Sequence, residues 1–284
     1  MRLRFLLALS LLLAACAEPA REWPDPAPAL WEVRAPSGET GWLFGTIHAR
    51  PRMAEWRTEA VDRALAKSGV LVVEIAELEN RALAARELAA RATTPGQPPL
   101  SQRVPAEDRP ALMALMSEAG LDDGDIGDAE NWAAALMLAN ALRRSDSGAG
   151  ADLALLREGL PAIGLESFAE QFDRFDRLPA ADQIDLLRVI AEETAEGRAE
   201  TLTEAWLTGD MAAIEHLAGT GLLAIPGLRQ ALLTDRNRAW EPEVAALIEG
   251  GRRPFVAVGA AHMIGADGLP ALLEARGFMV RRVR

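Results

Sequence analysis

Four short apolar runs, each delivering a polar side chain at its end, constrain this chain more than any other feature. The first is Trp42-Leu43-Phe44-Gly45-Thr46-Ile47, ending in His48. The second is Val70-Leu71-Val72-Val73, ending in Glu74. The third is Ala162-Ile163-Gly164-Leu165, ending in Glu166. The fourth is Phe255-Val256-Ala257-Val258-Gly259, leading to His262. Such runs, bounded by turn residues, are the pattern of strands buried on both faces. A last strand is expected over Phe278 to Val283. Leu30-Trp31-Glu32-Val33, followed by the Ser37-Gly38 turn, reads as a hairpin partner of the first run.

Between these runs the apolar spacing predicts helices at about 52–67, 81–91, 106–119, 129–143, 151–158, 168–177, 180–196, 199–207, 210–217, 227–249 and 268–276. Residues 93–99 read as a loop, and 145–150 as a break rich in turn residues. Strands separated by helices argue an α/β fold. Because 81–215 is almost all helix, we expect a small central β-sheet under a helical cap or insertion, placed at about 81–160. No short tandem repeat is present, although a strand followed by Gly-x-x-His occurs near each end.

In open α/β sheets ligands bind beyond the carboxyl ends of strands. His48, Glu74, Glu166 and His262 occupy four such ends. The chain has only 3 histidines, and two stand in matching slots, Gly45-Thr46-Ile47-His48 and Gly259-Ala260-Ala261-His262. Two imidazoles and a carboxylate are a common metal set with one position open for water. The alternatives are plain: either histidine could cap a helix, Glu74 could be a solvated loop acid, and Glu166 could cap the helix starting at Phe168. Glu74 shares a crevice with His48 if Val70–Val73 lies parallel to, and beside, Trp42–Ile47. His216 sits in a helical pattern and reads as structural or exposed.

The chain lacks His-Glu-x-x-His, Gly-x-Ser-x-Gly, a P-loop and Gly-x-Gly-x-x-Gly. A formal charge of −12 argues against a nucleic-acid partner. Its 1 cysteine, Cys16, rules out a disulfide scaffold. Arg2 and Arg4 precede an apolar stretch from Phe5 to Leu13, too short to span a bilayer but suited to a secretory signal. Leu13-Ala14-Ala15-Cys16 resembles the bacterial lipobox, so we expect cleavage after residue 15 and lipidation of Cys16; the alternative is an ordinary signal peptide with an incidental cysteine. By the same resemblance Ala17, where an Asp would favour inner-membrane retention, favours sorting to the outer membrane. Cleavage removes two arginines and no acid, so the charge becomes −14. Residues 16–29, rich in Pro and Ala, read as a tether, and 30–284 as the folded domain.

Three longer segments carry a family resemblance. They are GWLFGTIHARP with SGVLVVEIAEL, then AGADLALLREGLPAIGLESFAEQFDRFDRLP, then LLTDRNRAWEPEVAALIEGGRRPFVAVGAAHMIGADGLPALLEARGFMVRRV. In this order they resemble the TraB/GumN family, which includes pheromone-shutdown proteins and the Tiki metalloproteases. The resemblance implies an α/β fold related to erythromycin esterases and haem-binding ChaN-like proteins. It also implies a divalent-metal peptidase centred on the paired Gly-x-x-His motifs and a glutamate, here His48, His262 and Glu74. The Arg-Asn pair of the family falls on Arg236 and Asn237, expected as an oxyanion or substrate-carboxylate partner; on a helix, Arg236 could instead pair with a surface acid.

The leading expectation is a lipid-anchored, periplasm-facing metal-dependent hydrolase, most simply a peptidase acting on a peptide or protein of the cell envelope. Its cofactor would be Mn, Co or Zn, and Glu166 would position water or ligate. The alternatives are a module that binds a peptide or haem without cleaving it, and a structural envelope lipoprotein.

Overall fold

Side chains alternate cleanly along the central strands, and that alternation sets the layers. Trp42 and Phe44 enter one apolar cluster while Leu43 enters another, as a period of two requires. The computed structural model describes residues 22–51, 54–142, 147–193 and 198–283; Cys16 and the signal lie outside them.

The strands are β1 (Leu30–Arg34), β2 (Thr40–Thr46), β3 (Ala49–Pro51), β4 (Val70–Val73), β5 (Ser147–Ala149), β6 (Ala162–Gly164), β7 (Pro254–Gly259) and β8 (Met279–Val283). Six form one mixed sheet in the order β6-β4-β7-β2-β1-β8. β6, β4, β7 and β2 run parallel, whereas β1 is antiparallel to both β2 and β8. The protein is thus mixed α/β, and β1–β2 is the expected hairpin.

Two features depart from the sequence reading. β4 does not lie beside β2: β7 runs between them, pairing Thr46 with Gly259 on one side and Val73 with Ala257 on the other. Both β4 and β7 are apolar and buried, so patterning cannot decide which takes the middle. β3, just ahead of the stretch read as helix, and β5, inside the one read as a break, pair as a separate two-stranded sheet.

One face of the large sheet packs under Trp56 and Trp206. The other packs on the helices Asp235–Glu249 and Leu269–Ala275 through Trp240, Val244, Ile248, Leu269 and Leu273. A third cluster, around Trp132, Leu138, Phe168, Phe172 and Leu186, is the core of the helical lobe.

Ser167 starts the Phe168–Asp176 helix with a capping box completed by Glu170. That leaves the Glu166 side chain available for another task. The expected helix at 227–249 is interrupted by a π-turn at Gln230–Thr234, where the Asp235 N–H donates to Gln230 C=O.

Of the tether residues, 22–29 run along the domain. The Ala27 N–H donates to Leu207 C=O at 2.6 Å, and Trp23 packs against the core. Among the described residues no helix is long and apolar enough to cross a membrane.

Candidate functional site

The parallel strands end side by side, and their ends supply the site. The Thr46–Gly259 register sets the exits of β2 and β7 level, so His48 and His262 approach from adjacent strands despite their separation in sequence. On the far side of β7, the Glu166 N–H donates to Glu74 C=O at 2.9 Å. All four strand-end residues therefore meet along one edge of the sheet.

Gly259 is the floor of this meeting point. A Cβ built on it would lie 3.2 Å from Glu74 Oε1, 3.6 Å from His262 Cδ2 and 3.9 Å from His48 Nε2. The Gly259 N–H itself donates to Glu74 Oε1 at 2.7 Å. Absence of a side chain here leaves a small space that three polar side chains face.

Each imidazole is fixed from behind. Asn237 Oδ1 accepts from His262 Nδ1 at 2.6 Å. The Asn237 amide nitrogen donates to Asp267 C=O at 2.7 Å, which orients the amide and makes Nδ1 of His262 the protonated nitrogen. Trp240 packs on the ring, with centroids 4.6 Å apart. On the other histidine, Asp152 Oδ2 bonds Nδ1 at 2.8 Å. Both rings are thereby held at Nδ1, which leaves Nε2 as the second nitrogen; that of His262 faces Arg236 Nη1. Backing of each ring by a carboxylate or carbonyl is the usual support of a metal-ligating histidine.

Asp152 reaches His48 because the chain crosses it closely. The Ala151 N–H donates to Ile47 C=O at 3.1 Å. A Cβ on Gly150 would fall 2.5 Å from that carbonyl oxygen and 2.7 Å from the His48 carbonyl carbon, so only glycine fits. Sequence reasoning gave Asp152 no role; the Gly-Ala-Asp step that opens the Ala151–Leu156 helix was the available signal.

Arg236 ties the acids together. Its Nη2 donates to Glu74 Oε2 at 2.5 Å and to Glu166 Oε1 at 2.6 Å, and its Nε to Glu166 Oε2 at 3.3 Å. Nη1 donates to Leu232 C=O at 3.1 Å and faces His262 Nε2 at 3.3 Å. The guanidinium carbon lies 4.5 Å over the Trp240 ring. Leu232 belongs to the π-turn, a feature that recurs at functional sites.

Glu166, 1% exposed at its side chain, also accepts from Arg174 and Gln171. Arg236 is thus buried and fully engaged, and Asn237, also buried, holds His262; neither presents a donor to open solvent. His216 is exposed on the Met211–Gly219 helix.

The charges follow from these contacts. Burial alone would raise the Glu74 pKa, but Arg236 foremost outweighs it and holds the carboxyl well below the usual range. Burial lowers His262 to about 3, so its ring is neutral at pH 7. The Asp152 hydrogen bond raises His48 to about 9. Because 65% of that side chain faces solvent, water screens the field around it, and the upward direction is the physical content.

A divalent cation is the group the family resemblance implies. His48 Nε2, Glu74 Oε1 and the His262 ring around the Gly259 space are donor types that suit one chemically, with Arg236 Nη1 standing 3.3 Å from His262 Nε2. Three carboxylates (Glu74, Glu166, Asp152) face two guanidiniums (Arg236, Arg174) and the His48 imidazolium, so a bound cation would take the place of the His48 proton. Among the described residues, no group of three or more His, Cys, Asp or Glu is already gathered tightly enough to hold a metal; His262 Nε2 and Glu74 Oε1 are 3.9 Å apart.

Two cavities open onto these residues and share Thr46, His48, Glu74 and Gln171. One, of about 700 Å³, mixes apolar lining with the charged groups Glu79, Arg81, Asp152 and Arg157. The other, of about 580 Å³, is largely apolar and also contains Arg236 and His262. Thr46, at the end of β2, is buried, and its hydroxyl has no hydrogen-bond partner among the described residues.

A model of the TraB/PrgY/gumN family matches residues 29–282, nearly the whole chain. No curated protein and no solved structure matches it.

Proposed function

The chain belongs to the TraB/PrgY/gumN family, and from that premise we propose that it is a metal-dependent hydrolase of peptide bonds. One observation carries the reading: His48, His262 and Glu74 face a single space over Gly259, with each imidazole tied at Nδ1. A divalent cation held there (Mn, Co or Zn) would supply Lewis acidity and an acidified water.

The protein's own groups then have distinct tasks. Asp152 and Asn237 hold the two rings through Nδ1, and His48 would give up its Nε2 proton when a cation binds. Arg236 keeps Glu74 ionised, so Glu74 acts as a ligand and as an acceptor that orients water. Its lowered pKa makes it a poor store for the proton. Glu166 holds Arg236 in place through a two-point fork. The half-open His48 and the two cavities admit a substrate from both sides of the space.

The same proposal places the protein at the bacterial cell envelope. Cys16 would carry the lipid, the domain would face the periplasm, and Ala17 favours the outer membrane. The substrate would then be an envelope peptide or protein.

The test measures metal content of the purified protein beside a His48→Ala/His262→Ala variant, and cleavage of a peptide library with each metal. Cleavage that falls about 10²-fold or more in Glu74→Gln, at unchanged melting temperature, supports the hydrolase. Cleavage that survives in Glu74→Gln removes that residue's role. Tight peptide or haem binding with no cleavage under any metal points to the binding module instead.

A further inference from the structure

The two cavities differ in character although they meet at the same residues. The smaller one is walled by Leu136, Phe175, Leu202, Leu217, Leu223 and Leu233, with Ala218 at its side. The larger cavity carries charges of both signs, from Glu79, Arg81, Asp152 and Arg157.

Much of the apolar wall comes from Arg198–Thr208 and Met211–Gly219, which pack on the sheet, and from Phe168–Asp176 of the helical lobe. Because Glu74, Arg236, Gly259 and His262 also line it, whatever fills the cavity lies directly beside the bond being cleaved. Apolar walls of this kind reward burial of an apolar side chain. A charged side chain would lose its water there, and the guanidiniums that also line the cavity, Arg174, Arg198 and Arg236, already donate to Glu166, to Leu217 C=O and to the Glu74 and Glu166 carboxylates.

We infer that this site selects substrates by polarity across the cleaved bond. The apolar cavity takes one bulky aliphatic or aromatic side chain next to that bond, and the charge-bearing cavity takes a hydrophilic segment on the other side. The inference rests on the hydrolase reading for the position of the bond, but the cavity's preference can be measured without cleavage.

The experiment uses the purified full chain and peptides in which the residues flanking the bond are varied one at a time through Ala, Leu, Phe, Asp and Arg. Ala218→Phe fills the apolar cavity from an already partly exposed helix position. Binding of the Leu and Asp peptides is titrated in parallel with Glu74→Gln by calorimetry. The expected result is kcat/KM at least 10-fold higher for Leu or Phe than for Asp or Arg on one side of the bond only. That preference collapses or inverts in Ala218→Phe, and the Leu peptide binds tighter than the Asp peptide in Glu74→Gln. Cleavage indifferent to the flanking residue, or a preference unmoved by Ala218→Phe, overturns the inference and leaves the hydrolase standing. Absence of cleavage together with selective Leu-peptide binding that Ala218→Phe abolishes sustains the apolar site and overturns the hydrolase. Neither cleavage nor selective binding overturns both. Should Ala218→Phe fail to fold, Leu217→Asp and Leu202→Asp report the same preference from the wall itself.

Discussion

Replacing Arg236 by Met should cost this protein more stability than almost any other single change at the site. The guanidinium is buried and makes hydrogen bonds to two carboxylates that are themselves 12% and 1% exposed. Removing it leaves Glu74 and Glu166 buried and facing each other with no guanidinium between them. Breaking a buried pair from one side costs about 3–5 kcal/mol. At about 2–4 °C per kcal/mol for a chain of this size, the melting temperature should fall by roughly 6–20 °C. Thermal unfolding followed by circular dichroism measures it. Arg236→Lys keeps the charge but cannot make the two-point fork to Glu166, so it should fall between wild type and Met. Adding Glu166→Gln to Arg236→Met removes one stranded carboxyl and should recover part of the loss, a coupling that a double-mutant cycle resolves. A fall below about 2 °C in Arg236→Met, or no recovery in the double variant, would refute the view that this cation holds the two acids in place.

Gly259→Ala puts a methyl into the space between Glu74 and the histidines; metal uptake should be lost while the fold persists, and calorimetric metal titration beside a melting curve reads both. Asp152→Asn removes the carboxylate behind His48 and should lower metal affinity or activity about 10–100-fold, with little change in melting temperature. Thr46→Val replaces a buried hydroxyl that has no partner among the described residues, so the melting temperature should hold or rise; a clear drop would show that the hydroxyl is bonded. Cys16→Ser should abolish labelling by radioactive palmitate, and equal label in both proteins would remove the lipobox reading.

The strand ends were legible in the sequence because a buried parallel strand has one chemical event, the polar residue where it stops. His48, Glu74, Glu166 and His262 were found that way, and the structure brings them to one edge. Their order across the sheet was not legible: Val70–Val73 and Phe255–Val258 are equally apolar, and nothing local states which pairs with Trp42–Thr46. Asp152 escaped for a different reason. It is an ordinary acid in the first turn of a helix, and only the close crossing at Gly150 carries it to His48. The π-turn before Arg236 has no composition cue, since Gln230-Ala231-Leu232-Leu233-Thr234 reads as plain helix. Arg236 itself was singled out, but its burial between two acids depends on long-range contacts that spacing does not encode.

The position of β7 also governs when this protein can become a protein at all. The strand that joins β4 and β6 to β2 and β1 spans Pro254–Gly259, and the β1 edge closes only on Met279–Val283. A growing chain that has emerged as far as the helical lobe holds β2 and β4 with no shared neighbour. At about 5–20 residues per second, the sheet lacks its middle for most of synthesis. Its folding is therefore confined to the last moments of translation or later, and a chain cut short before Pro254 cannot rescue itself with a smaller version of the same sheet. Under the envelope location proposed above, such late closure would keep the chain transportable without any separate device.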